Sequence, residues 1–88
     1  MSRFSVELKS SARKSLEKLE VKDRLRVYAA IELLSENPRP PLSVRIKGSE
    51  FLRVRVGDYR ILYSINTGRL VILIIDIGHR REIFREVN

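Results

Sequence analysis

A chain of 88 residues has room for one domain and one modest hydrophobic core, so its site is expected to be a surface concavity rather than a deep cleft. Its 43% of hydrophobic residues argue against disorder, and the absence of cysteine excludes disulfides and thiolate metal sites. Eighteen lysines and arginines against eleven acidic residues give a formal net charge of +7, which favours a polyanionic partner such as nucleic acid, an acidic protein or anionic lipid.

The basic residues are unevenly divided along the chain. Residues 1–44 contain four lysines and five arginines, whereas residues 45–88 contain one lysine and eight arginines. Because the planar guanidinium fork matches phosphate geometry, the second half favours phosphate binding, although a basic surface that only aids solubility stays open at this point. The single histidine, His79, cannot form a zinc site alone, and we expect neither metal nor cofactor. The longest apolar run, residues 70–75, is far shorter than a membrane span, so we expect a soluble cytoplasmic protein without membrane contact.

The first half of the chain predicts one strand and two helices. Apolar residues at every second position of residues 4–8 indicate a half-buried strand. Ser10 and Ser11 predict the N-cap of a short helix. A second helix is predicted at residues 21–36, ending at Asn37 because the following Pro38 disfavours helix in the residue before it. The buried stripe predicted for this second helix is Leu25, Tyr28, Ala29, Ile31 and Leu34.

The second half predicts three strands, at residues 52–56, 59–65 and 70–77. Gly57 and Asp58 form a tight turn between the first two. Asn66, Thr67 and Gly68 suit a three-residue hairpin loop with Gly68 in the left-handed conformation. The last strand is apolar at nearly every position, which is typical of a strand covered on both faces.

This order of elements predicts an α+β fold formed by residues 1–88 as a single domain. An N-terminal strand and a helical hairpin precede a three-stranded antiparallel meander, with the helices on one sheet face. The opposite face is expected to be open and basic, and function is expected there.

Two arginines are predicted to face each other on that open face. A two-residue turn at Gly57 and Asp58 pairs Arg55 with Arg60, and Arg53 shares their face. Like charges placed directly across a strand pair destabilise a sheet by about 0.2–1 kcal/mol. A phosphate held between the two guanidinium groups offsets that cost, so the pair predicts an anion site.

The register of the second hairpin leaves two arrangements open. A three-residue loop pairs Arg60 with Ile74 and brings Arg80 to the arginine face. A two-residue loop brings His79 there instead, and a bulge at Gly78 presents both.

The stretch RIKGSEFLRVRVGDYRILYSINTGRLVILIIDIGHRREIF resembles the C-terminal half of RelE-like toxins of the RelE/ParE superfamily. The runs LRVRVGDYRILYSI and GHRREIF carry most of this resemblance. It implies a toxin of a toxin–antitoxin pair: a ribosome-dependent endoribonuclease that cuts the messenger RNA codon in the A site. The 2′-hydroxyl of the RNA is the nucleophile in this family, and the products carry a 2′,3′-cyclic phosphate and a 5′-hydroxyl. The implied partners are the ribosome, messenger RNA and an acidic RelB-like antitoxin that blocks the toxin.

The resemblance implies a catalytic set made of basic residues: Arg53, Arg55, Arg60 and Arg80. Lys47, Arg81 and Phe84 are the expected substrate-binding residues, and Phe84 stands where relatives have a tyrosine. The missing phenol implies a reduced nuclease activity. Arginine is effectively never deprotonated, so His79 is nominated as general acid or base because it alone titrates near neutrality.

Two other functions fit the same fold. A ParE-like toxin poisons DNA gyrase and cuts nothing, and has no need of the opposed arginines. A catalytically weak or non-enzymatic member of the fold binds nucleic acid, for example as a repressor together with its antitoxin.

Overall fold

The computed structural model describes residues 3–79, which form a five-stranded sheet and two helices. The elements in chain order are β1 (Ser5–Leu8), α1 (Ser10–Lys18), α2 (Val21–Glu36), β2 (Val44–Arg45), β3 (Leu52–Val56), β4 (Tyr59–Asn66) and β5 (Val71–His79). The predicted α+β architecture is therefore confirmed, with one short edge strand, β2, that the sequence pattern did not reveal. Within residues 3–79 no helix has the length and apolar character to cross a membrane.

The strands lie in the order β1-β5-β4-β3-β2. Neighbouring strands are antiparallel except β1, which pairs in parallel with β5. The pairing places β5 between β1 and β4, away from both sheet edges, which is consistent with its nearly continuous apolar sequence. The core lies on the helical side of the sheet and includes Ala12, Leu16, Val27, Ile31, Leu34, Val54, Ile61, Tyr63, Ile72, Ile74 and Ile77.

The buried side of α2 differs from the predicted stripe. Leu25 is 61% exposed and Tyr28 is 49% exposed, and Ala29 is exposed as well. Only Ile31 and Leu34 of the predicted set are buried, and Val27 completes the stripe at the spacing i, i+4 and i+7. Apolar residues surround much of this helix, so its local pattern contains two candidate stripes, and packing on the sheet chooses between them.

The start of α1 also differs from the prediction. Its N-cap is Lys9, whose backbone amide donates to the carbonyl of Ile74 and so continues the β1–β5 pairing. Ser10 is already helical, and the Ser11 hydroxyl donates to the carbonyl of Ile75 at 2.7 Å instead of capping the helix. A tertiary hydrogen bond to β5 therefore replaces the expected local cap.

The loop between β4 and β5 is longer than predicted. Asn66 pairs with Val71, so four residues form the turn, and the left-handed residue is Leu70 at φ 57° rather than Gly68. The Asn66 side chain accepts a hydrogen bond from the backbone of Arg69 and closes this turn. The predicted three-residue loop is therefore wrong.

Tyr63 is fully buried in β4, and its hydroxyl donates to the carbonyl of Pro38 at 2.7 Å. This bond ties the proline-rich connector after α2 to the core. We expect Tyr63→Phe to lower the free energy of unfolding by about 1–2 kcal/mol, because the carbonyl of the half-buried Pro38 loses its donor. Chemical denaturation followed by circular dichroism measures this loss, and an unchanged midpoint would contradict it.

The same side chain predicts a pH dependence. Burial raises the pKa of Tyr63 above its ordinary value of 10.0, while Ser43 and Arg39 oppose that rise. Below pH 10.0 the tyrosine is protonated in both states, and its contribution to stability is complete. As the pH rises through the folded-state pKa, the unfolded state releases the proton first and that stability is lost. The loss of stability above pH 10.0 is expected to be smaller in Tyr63→Phe.

Candidate functional site

The side of the sheet opposite the helices presents two rows of side chains, and we call this side the open face. Arg55 pairs with Arg60, and Arg60 pairs with Gly78, which forms the first row. Arg53 pairs with Leu62, and Leu62 pairs with Asp76, which forms the second row.

The predicted pairing of Arg55 with Arg60 is confirmed. Val56 pairs with Tyr59 across a two-residue turn, and Gly57 has a φ of 60°. A positive φ at the first turn position is typical of hairpin turns with glycine there, and such turns match the twist of the flanking strands. Local turn chemistry therefore sets the two arginines opposite each other.

Arg53, Arg55 and Arg60 line one concavity of about 470 Å³, which we call the arginine concavity. Its other lining residues are Leu42, Val44 and Gly57, so none of the described residues that line it is acidic. Arg55 donates from Nε to the carbonyl of Gly57 at 3.1 Å, which fixes the base of its guanidinium.

Arg60 is half-buried, and its Nη1 nitrogen is shielded from solvent. A guanidinium in such a position interacts more strongly with an anion than one in open solvent, because the local dielectric is lower. The concavity therefore combines preorganised cationic donors with an apolar wall from Leu42 and Val44. Such an arrangement suits a phosphodiester, whose charged oxygens need donors and whose sugar is less polar.

Lys47 lies in the loop between β2 and β3 and does not line the arginine concavity. It lines a second concavity of about 610 Å³ on the open face, which we call the trough. The trough is also lined by Lys9, Ile46, Phe51, Leu62 and Asp76. It adjoins the arginine concavity, because Arg53 lies directly across from Leu62.

His79 lies on the other side of the sheet from the arginines. It pairs with Tyr59, and the two rings meet edge to face with centroids 6.1 Å apart. Burial raises the pKa of Tyr59, and the charge of Asp23 and a hydrogen bond to it raise that pKa further. The structure therefore does not bring His79 together with the arginines of the open face.

The reason for this placement is a β-bulge in β5. Leu62 pairs with Asp76 and Tyr63 with Ile74, so Ile75 is an extra residue. Neither predicted loop length nor a bulge at Gly78 describes this register. Arg60 pairs with Gly78, so the even-numbered residues of β5 after the bulge share its face, as the three-residue loop predicted. Arg80, Arg81 and Phe84 lie outside the described residues.

Several residues of these concavities were missed by sequence reasoning. Leu42 and Val44 follow the proline-rich connector, and their apolar character in a polar segment was the available signal. Phe51 carried no local signal of a site, whereas Asp76 stands out as an acidic residue within the apolar residues 71–77. Only the sheet register brings the two together with Leu62. Among residues 3–79, no group of three or more histidine or acidic side chains is arranged to hold a metal ion.

Residues 6–84 match the family described as the ParE toxin of type II toxin–antitoxin systems, parDE. No curated protein sequence matches the chain.

The solved structures with the same fold include toxins and toxin–antitoxin complexes. The RelBE2 complex of Mycobacterium tuberculosis contains a chain that is 27% identical, with a TM-score of 0.76 and coverage of 89% of this chain and 99% of that chain. The archaeal RelE–RelB complex of Pyrococcus horikoshii contains a chain that is 26% identical, with a TM-score of 0.76 and coverage of 89% of this chain and 96% of that chain. A doubly substituted RelE toxin of Escherichia coli in the free state is 21% identical, with a TM-score of 0.80 and coverage of 99% and 95%, and shares the fold.

Proposed function

Because the chain belongs to the ParE toxin family of type II toxin–antitoxin systems, within the RelE/ParE superfamily, we propose that it is a toxin that cleaves messenger RNA in the ribosomal A site. The observation that carries this proposal is the convergence of Arg53, Arg55 and Arg60 on one concavity of the open face. Guanidinium groups placed in this way donate charge-assisted hydrogen bonds to the oxygens of a phosphodiester. A cytoplasmic protein of this charge meets such an anion in messenger RNA on the ribosome.

The proposed reaction needs charge stabilisation more than covalent help from the protein. The 2′-oxygen of the RNA attacks the adjacent phosphorus, the bond to the 5′-oxygen breaks, and the departing oxygen takes a proton. Negative charge builds on the non-bridging phosphate oxygens, and preorganised guanidinium groups stabilise it. We assign this role to Arg60 with Arg80, and we assign to Arg53 and Arg55 contacts with the flanking backbone or with the leaving 5′-oxygen of the same phosphate.

The general base is assigned to the ribosome or the RNA. Arginine does not deprotonate at neutral pH, and His79 faces the other side of the sheet. Phe84 lacks the phenol of its counterpart in relatives, so the proposed enzyme is a weak nuclease. Lys47 is proposed to bind the substrate outside the arginine concavity. Arg81 is proposed to bind the substrate as well, and Phe84 to stack on it.

The proposed partner is an acidic RelB-like antitoxin that docks in an apolar groove between α2 and β3. The groove has a volume of about 390 Å³ and is lined by Leu33, Leu34, Pro40, Pro41, Leu42, Val54 and Arg55, among others. Leu33 is 67% exposed and Leu42 is 74% exposed, which is unusual for leucines on so small a protein. The solved complexes of related chains with RelB support a partner of this class.

The groove and the arginine concavity share Leu42 and Arg55. A segment seated in the groove therefore reaches the arginines, and an acidic side chain on it neutralises Arg55. In addition, β2 pairs with Leu52 and Arg53, and among residues 3–79 no strand pairs with β3 at Val54–Val56 on that edge. An extended segment of the partner can pair with that edge.

We expect Leu33→Asp to weaken antitoxin binding by about 30-fold, because it removes an apolar contact and buries a carboxylate in the interface. The probe is the short acidic protein that we expect to be encoded beside the toxin gene, and calorimetry measures the affinity. Thr67→Asp makes the same change of charge in the exposed β4–β5 turn and is the matched control. Equal affinities of the two variants would remove the groove from the proposal.

The rival function is poisoning of DNA gyrase, which the ParE description of the matched family favours. Toeprinting on ribosomes programmed with a defined messenger RNA separates the two functions. We expect cleavage in the A-site codon and no effect on gyrase supercoiling. Intact messenger RNA together with inhibited gyrase would overturn the nuclease proposal.

A further inference from the structure

Asp76 is the only acidic side chain among the described residues that line the arginine concavity and the trough. It interrupts the otherwise apolar residues 71–77 of β5. A carboxylate on this face repels the RNA backbone, so its presence needs a different explanation from that of the arginines around it.

The carboxylate of Asp76 is held in one orientation. Its Oδ1 oxygen accepts from the Ser15 hydroxyl at 3.1 Å and from the backbone N–H of Ile77 at 2.8 Å. Neither of these two hydrogen bonds uses the Oδ2 oxygen, to which we assign the ligand. The bulge at Ile75 is itself held by the Ser11 hydroxyl, so α1 fixes both the backbone and the side chain at this point.

The surroundings of this carboxylate suit a flat, apolar ring. Leu62 is buried beside it in the sheet, and the half-buried Phe51 and Ile46 line the same trough. Lys9 and Lys47, which are both exposed, supply positive charge at the trough for a flanking phosphate. Aromatic and apolar walls with a few polar groups are the usual setting for an unstacked nucleobase.

The spacing to the arginine concavity matches one nucleotide. Asp76 and Leu62 lie in the second row of the open face, and Arg60 lies in the first. Rows on one face are two residues apart along each strand, which is about 6.6 Å. A phosphate at Arg55 and Arg60 therefore leaves its neighbouring base within reach of the trough.

We propose that the trough binds the nucleobase beside the phosphate held by Arg55 and Arg60, and that Asp76 selects bases with an exocyclic amino group. This inference rests on the proposed RNA-cleaving function. The amino group of cytosine donates to the Oδ2 oxygen of Asp76, as carboxylates commonly accept from that group. Uracil presents a carbonyl oxygen at the same position, which leaves the carboxylate unpaired and repelled.

The test is fluorescence anisotropy with the full chain and short 2′-O-methylated oligoribonucleotides, which cannot be cleaved. We expect the cytosine oligomer to bind about tenfold more tightly than the uracil oligomer. Asp76→Asn keeps the acceptor for Ser15 and Ile77 but loses the charge, so the preference is expected to vanish or reverse.

Three further variants complete the design. Glu36→Gln makes the same change of charge at an exposed position on α2 and is expected to leave the preference unchanged. Phe51→Leu is expected to weaken the binding of both oligomers by about tenfold, because stacking on the ring is lost. Arg60→Ala is expected to weaken the binding of the cytosine and uracil oligomers by the same factor.

The outcomes separate the two proposals. Binding that depends on Arg60, with the same affinity for both oligomers or an unchanged preference in Asp76→Asn, overturns the base selection alone. RNA binding that is absent, or unaffected by Arg60→Ala, overturns the proposed function and this inference with it.

Discussion

Arg60→Ala is expected to slow cleavage of A-site messenger RNA by about 100- to 1,000-fold, because removal of one preorganised donor to a developing oxyanion has an effect of that size. Arg60 is half-buried and lies directly opposite Arg55 in the arginine concavity. Single-turnover cleavage on programmed ribosomes, followed by primer extension, measures the rate. Arg60→Lys retains the charge but not the planar fork, and an intermediate rate is expected.

The matched control for this variant is Arg69→Ala. Arg69 is exposed in the turn between β4 and β5, so its loss makes the same change of net charge far from the arginine concavity. We expect it to cleave at nearly the wild-type rate. Circular dichroism of each variant establishes that it folds, and a folded Arg60→Ala protein with unimpaired cleavage would remove Arg60 from the mechanism.

Ile61→Ala is expected to lower the free energy of unfolding by about 2–5 kcal/mol. Ile61 is fully buried in β4, where it pairs with Val54 on one side and Ile77 on the other. The substitution removes apolar area and leaves a cavity that the sheet cannot close. Since a small domain is stabilised by about 5–15 kcal/mol in total, this single change removes a large share. Urea denaturation followed by circular dichroism measures it.

Two further variants serve as comparisons for Ile61→Ala. Ile61→Val deletes one methyl group at the same position, and a loss of about 0.5–1.5 kcal/mol is expected. Leu33→Ala removes a side chain that is 67% exposed, so it is expected to change the stability very little. A loss for Leu33→Ala as large as that for Ile61→Ala would show that the core is placed wrongly.

Local signals in the sequence predicted most of the elements and part of the site. Alternation of apolar residues gave strands at nearly their observed positions, and the predicted bounds of α2 match Val21–Glu36. The pairing of Arg55 with Arg60 followed from Gly57 and Asp58, because a two-residue turn determines the register of the strands beside it. Each of these inferences depends on residues that are close together in the chain.

The sequence by itself thus determined the fold class, the order of the elements and the opposed arginines. Only the tertiary structure decided which side of α2 is buried, where β5 bulges and which side of the sheet His79 faces. Those features depend on contacts between residues far apart in the chain, such as the hydrogen bonds from Ser11 and Ser15 to β5. A one-residue slip in β5 reverses the face of every later side chain. The free-energy difference between the two registers is set by the packing of the whole sheet rather than by any short segment.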